Sequence, residues 1–177
     1  MNNNINELRA DCSAKQKKGL HFILASVIIW AAVLIIHISP LSAEQKNLFT
    51  FCCSAPLMPL AYMLSKIIKV DFQNKDNPLT GLGIVFSVSQ IPYLLIAMWA
   101  FAEKPDSFLM IYAMIFGAHL LPFGWLYRSK TYYALSGIIP VAALITGINF
   151  SAVFVAVLML CFEIIFSLCL IIENKTQ

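Results

Sequence analysis

Long apolar runs, separated by short polar segments, constrain this chain more than any other feature. They lie at about 20–38, 48–69, 81–102, 107–127, 131–147 and 150–171. An apolar run of about 18 or more residues is long enough to cross the hydrocarbon core of a bilayer as an α-helix. The sequence therefore predicts an all-α fold, an integral membrane bundle of six transmembrane helices.

The composition supports a membrane protein and argues against several other classes. Of the 177 residues, 60% are apolar and 12% are charged, whereas soluble proteins average about 45–50% and about 25%. So few polar residues could not cover the surface of a soluble fold. The net charge of +3 forms no cationic stripe that could hold a nucleic-acid backbone. We therefore expect the lipid bilayer as a partner, and no nucleic acid.

The polar segments divide the chain into three parts. Residues 1–18 form a polar leader that ends in a basic cluster, residues 19–172 form the six-helix domain, and residues 173–177 form a polar tail. No small-residue cleavage site follows the first apolar run, so we expect that run to remain as a membrane anchor. The loops between the runs are too short to hold a further domain.

Basic residues predict the orientation. With six spans, the leader, the 71–80 loop, the 128–130 turn and the tail share one side, which carries ten lysines and arginines. The other side carries only Lys46 and Lys104. Because short cytoplasmic loops are enriched in basic residues, we predict an inner (cell) membrane protein with Met1 and Gln177 both in the cytoplasm.

A weak internal repeat appears at an offset of 63 residues. The segment 55–63 aligns with 118–126 without a gap, so that Pro59 falls on Pro122 and Ser26 falls on Ser89. The alignment predicts tandem helix hairpins, with the first two spans superposing on the third and fourth.

Three polar side chains are the candidate binding residues: His119, Glu163 and Gln90. Each lies near the middle of its apolar run, so all three are expected at similar depth. Glu163 also shares a helix stripe with Ala156 and Ser167, and such small-residue stripes are usually buried between membrane helices. We predict that the three side chains face one interior space, with His119 and Glu163 in contact directly or through one water.

Two interpretations of this cluster remain open. Ionisable groups at bilayer depth are typical of proton relays, which favours a small transporter or permease-like protein with a proton- or cation-linked site and a small-molecule or ion ligand. Alternatively, the three groups satisfy one another and stabilise a non-catalytic protein that binds lipid or a partner helix. An intramembrane enzyme is a weaker alternative, and neither a cofactor nor a metal is expected, because no set of ligands has a coherent spacing.

Three blocks of sequence resemble a family of small bacterial membrane proteins of unknown function. They are residues 17–30, residues 47–53 and residues 115–123, the last with His119 and Pro122. The similarity covers about residues 5–140. It implies a bacterial inner-membrane setting and no assigned activity.

Overall fold

The computed structural model describes residues 2–176, with side chains from residue 4 onward, and its regular structure over that range is entirely helical. Five helical segments are long and apolar enough to cross a membrane: Lys17–Ile38, Leu79–Glu103, Pro105–Tyr127, Lys130–Asn149 and Ala152–Lys175. A bent pair, Ala43–Ser54 with Leu57–Ile67, supplies a sixth crossing if it is one span. The predicted all-α membrane bundle is confirmed. The chain ends Met1 and Gln177, whose sides were predicted, lie outside the described residues.

The helices follow one another in this order: α1 Asn2–Lys15, α2 Leu20–Ile38, α3 Ala43–Ser54, α4 Leu57–Ile67, α5 Leu79–Val88, α6 Ile91–Glu103, α7 Phe108–Ala118, α8 Leu121–Tyr127, α9 Lys130–Asn149 and α10 Ala152–Lys175. Short 3₁₀ turns precede α2 and α7. We call α3–α4 the second span, α5–α6 the third span and α7–α8 the fourth span.

The core lies where α2 packs along α10 and where α7 packs along α9. Trp30 of α2 is almost completely buried, as are Met159 and Phe166 of α10. Gly117 permits the second contact, since a Cβ atom there would lie 2.6 Å from Ile139 Cγ2. In contrast, α5 has no buried residue, and the third span lies at the edge of the bundle.

Three of the predicted spans are broken near their middles. The breaks fall at residues 55–56, 89–90 and 119–120, and the second span bends by 43°. Each break precedes a helix with proline at its start, where the missing N–H costs least. The second span also begins earlier than predicted, at Ala43, because Ser42 and Gln45 form a capping box. Conversely, α9 runs unbroken through Pro140.

The leader is a helix that packs on the bundle. Ser13 Oγ donates to Tyr127 O at 3.0 Å, and Tyr127 Oη donates to Gln16 Oε1 at 2.8 Å. Asn77 Nδ2 donates to Asp11 Oδ2 at 2.7 Å. This bond, with that from Lys15, holds the pKa of Asp11 below its ordinary value. Polar pairs, together with the buried Cys12, therefore attach the leader.

Contacts place the connecting segments at two ends, as six crossings require. At the end that carries the leader, Asp71 N donates to Lys15 O at 3.1 Å, and Asn174 Nδ2 donates to Lys17 O at 3.0 Å. At the opposite end, Asn47 Nδ2 donates to Pro105 O at 2.8 Å. The leader, the 71–80 loop and the C-terminal end of α10 are thus neighbours, whereas the side of the membrane they occupy remains a prediction.

Candidate functional site

Glu163 lies at the middle of α10 and is completely buried. It is held there because α10 presents a stripe of small residues to α2. Ala156 and Ser167 of that stripe are also buried, and Ser167 Oγ donates to Glu163 O at 2.9 Å. Glu163 is thus buried inside the bundle, and its role as a binding residue remains a prediction.

Ser26 of α2 is the hydrogen-bond partner of Glu163. Its Oγ lies within hydrogen-bond distance of Glu163 Oε2 and also 2.8 Å from Ile23 O. Glu163 Oε1 is buried without a hydrogen-bond partner. A hydroxyl has one proton to donate, while a protonated carboxyl can donate its own. Both contacts are satisfied together when Ser26 donates to Ile23 O and a neutral Glu163 donates to Ser26 Oγ.

The neutral form also fits the surroundings of Glu163. Burying an ionised carboxylate without a cation is far more costly than burying a neutral carboxyl group. In the neutral form, the unpartnered Oε1 is a carbonyl oxygen with no formal charge. The neutral carboxyl is therefore the form that satisfies both contacts of Ser26 Oγ.

His119 does not hydrogen-bond Glu163, so direct contact between them, one of the two predicted arrangements, is absent. Nδ1 of His119 lies 2.5 Å from Phe116 O, and its ring packs edge-on against Phe116 and Phe123. A carbonyl oxygen can only accept, so Nδ1 carries the proton. In the neutral ring Nε2 is then a free acceptor. His119 is half-buried at the break between α7 and α8.

Gln90 occupies the break between α5 and α6 and is likewise half-buried. Its side chain forms no hydrogen bond within the described part of the chain. The third span around it is only 11% buried over its most apolar stretch. A single interior space shared by Gln90, His119 and Glu163 stays a prediction, because no contact joins the three.

Sequence reasoning missed Ser26 as a site residue. The available signal was its depth, since Ser26 lies near the centre of the first apolar run, as Glu163 does in the last. Buried serines such as Ser136 and Ser65, however, also bond the carbonyl three residues back. A serine that meets a carboxyl therefore looks the same in sequence as one that does not.

A cleft lies elsewhere, at the end opposite the leader. It encloses about 440 Å³ and is lined in part by His37, Lys46, Asp106 and Ser151. His37 is buried there, with Nε2 3.2 Å from Thr50 Oγ1. None of the predicted site residues lines this cleft, and across residues 2–176 no three His, Cys, Asp or Glu side chains are grouped so that they could hold a metal ion.

Comparison with known proteins identifies the family. A family of unknown function, DUF7010, matches residues 5–173. The chain belongs to this family. The match extends past the 5–140 expected from the sequence blocks and includes α10 with Glu163. Neither the curated proteins nor the solved structures contain a match.

Proposed function

We propose that this DUF7010 member is a proton-linked transporter-like membrane protein in which Glu163 gains and releases the proton. The observation that carries the proposal is a completely buried carboxyl at the middle of α10, with one oxygen bonded to Ser26 and the other unpartnered. An intramembrane carboxyl of this kind is costly to retain for packing alone. In this proposal, His119 and Gln90 form a second polar pair along the transport path.

The proposed mechanism uses the two states of one carboxyl. In the resting state neutral Glu163 donates to Ser26 Oγ. When the proton leaves, Ser26 can turn its hydroxyl from Ile23 O toward the carboxylate, because a serine hydroxyl rotates freely about its Cβ–Oγ bond. The carboxylate then needs a cation or water at Oε1, and this need would couple proton release to ligand entry.

Infrared titration of the protein in lipid vesicles tests the proton-binding role. The carbonyl stretch of a protonated carboxyl should be present at low pH, disappear as pH rises, and be missing in Glu163→Gln. Ser26→Ala should move this titration, whereas Ser136→Ala should not. Ser136 is a matched control, because it is a buried helix serine that bonds Tyr133 O but not Glu163.

Proton flux gives the second readout. Vesicles containing the wild-type protein should dissipate an imposed pH gradient faster than vesicles containing Glu163→Gln, with valinomycin present to compensate charge. A carboxyl band that never titrates would refute the proposal, and so would equal proton flux from the wild-type protein and Glu163→Gln.

A second candidate is a non-catalytic protein that binds lipid or a partner helix. Its support is the third span, whose 11% burial leaves most of its surface uncovered by this chain. On this view the Ser26–Glu163 contact only joins α2 to α10, which in membrane proteins contributes about 0.6–2 kcal/mol. Ser26→Ala and Glu163→Gln would then change stability but leave proton flux unaltered.

A further inference from the structure

The third and fourth spans pack as antiparallel neighbours in one register. Leu126 Cδ2 lies 3.2 Å from where a Cβ on Gly83 would be. The Phe86 and Phe123 rings are 5.8 Å apart, and those of Phe101 and Phe108 are 6.1 Å apart. From one pair to the next, the residue number rises along the third span by as much as it falls along the fourth span. The same register sets Gln90 level with His119.

Their faces agree as well as their depth. Gln90 follows Gly83 by one heptad, and His119 precedes Leu126 by one heptad. Residues one heptad apart lie on nearly the same side of a helix. Because Gly83 and Leu126 are in contact, Gln90 and His119 lie on the facing sides of the two spans. Ala97, one heptad beyond Gln90, is completely buried on this face.

The facing groups are unpaired hydrogen-bonding groups. Nε2 of His119 is an acceptor, and neither it nor the Gln90 amide forms a hydrogen bond within residues 2–176. Pro92 and Pro122 add to the set, because they have no N–H to donate to the carbonyls of Val88 and Ala118. Two helix breaks side by side at bilayer depth thus supply acceptors, as broken helices do in many transporters.

We infer that the paired breaks form a second binding site, for a small cation with N–H donors, such as ammonium or a primary amine. An imidazole nitrogen, an amide oxygen and two carbonyls suit N–H donors. A site for Mg²⁺ or Ca²⁺ would be built from oxygen ligands that include carboxylates. The aromatic rings of Phe86, Phe116 and Phe123 around the site can stabilise a cation by cation–π attraction. The inference goes beyond the proposed function, because amine binding here does not require Glu163 to exchange a proton.

Nitrogen NMR of ¹⁵N-histidine-labelled protein in lipid nanodiscs tests the site, with methylammonium as the probe. The three histidines give separate reporters. The Nε2 signal of His119 should shift and saturate with methylammonium, because the lone pair accepts an N–H. The signals of His21 and His37 should stay fixed. Sodium and tetramethylammonium, which have no N–H, should leave His119 unchanged at the same ionic strength.

Substitution at Gln90 tests the geometry. Gln90→Met keeps the length of the side chain but removes the amide, and it should weaken methylammonium binding about tenfold or more, since a hydrogen bond to a charged ligand is lost. Ser89→Ala is the matched control, because Ser89 lies in the same break and bonds only Phe86 O. Unchanged His21 and His37 signals verify the fold of each variant. If Gln90→Met does not fold, binding is measured instead by equilibrium dialysis of radiolabelled methylammonium against His119→Phe. This variant should not bind methylammonium.

The outcomes separate this inference from the proton-linked function. An unmoved His119 signal, an equal shift with tetramethylammonium or sodium, or unaltered binding by Gln90→Met would overturn the amine site. Glu163→Gln should keep the His119 response. Loss of titration in the infrared experiment would refute the proton role alone.

Discussion

Gly117→Ala should destabilise the protein, because it forces α7 away from α9. The new Cβ would lie 2.6 Å from Ile139 Cγ2, 2.8 Å from Pro140 Cδ and 2.9 Å from Ile139 Cβ. A β-branched side chain and a proline ring cannot turn aside. Overpacking of this kind costs about 1–3 kcal/mol, while replacing helical glycine by alanine returns about 1 kcal/mol. We expect a net loss of up to about 2 kcal/mol.

Gly137→Ala is the matched control. Gly137 lies within α9, and a Cβ there would meet nothing within 4 Å. Only the gain in helix propensity applies, so the difference between the variants isolates the overpacking term, about 1–3 kcal/mol. At on the order of 2–4 °C per kcal/mol for a chain of this size, tryptophan-fluorescence melting in nanodiscs resolves it. A Gly117→Ala melting temperature at or above that of Gly137→Ala would refute the packing of α7 against α9.

Three further predictions concern the leader and the topology. Because the pKa of Asp11 is lowered, its ionised form stabilises leader docking at neutral pH. That contribution should be lost as pH falls below the ordinary range of aspartate, about 3.9. Hydrogen exchange over residues 2–15 would detect the loss, and Asp11→Asn should abolish this dependence on pH. Burial raises the pKa of Cys12 to about 11, so a maleimide should not modify this thiol at neutral pH. Asn77→Ala should undock the leader and allow the modification. Rapid labelling of the wild-type protein would contradict this prediction. A reporter fused after Lys104 should read outside and one at each chain end inside; a cytoplasmic reading at Lys104 would refute the orientation.

The spans were predictable because hydrophobic length alone specifies them. The burial of Glu163 was predictable for a related reason, since the small-residue stripe with Ala156 and Ser167 marks a packed face. The docking of the leader on the bundle was not predictable, because it uses hydrogen bonds such as that from Ser13 Oγ to Tyr127 O. Such pairs join residues far apart in the chain and leave no periodic pattern.

The helix breaks were not predictable from prolines alone. Pro122 follows a break, whereas Pro140 lies inside the continuous helix α9. The difference lies in packing. Pro140 is adjacent to Gly117 on α7, a close contact that can support α9 past the missing hydrogen bond. Sequence shows which N–H is missing, but tertiary contacts decide whether the helix yields.

The two candidate sites can be related through the repeat, which stays a prediction. The offset that places Pro59 on Pro122 brings the break at 55–56 to within one residue of the break at 119–120. Under the same offset, Pro92 of the third span falls on Ile29 of the first. Without a proline, α2 stays continuous, packs in the core and brings Ser26 to Glu163. With Pro92, the third span breaks, lies at the edge and sets Gln90 level with His119. The presence of Pro92 is thus one difference between the span that holds Gln90 and the continuous span that holds Ser26.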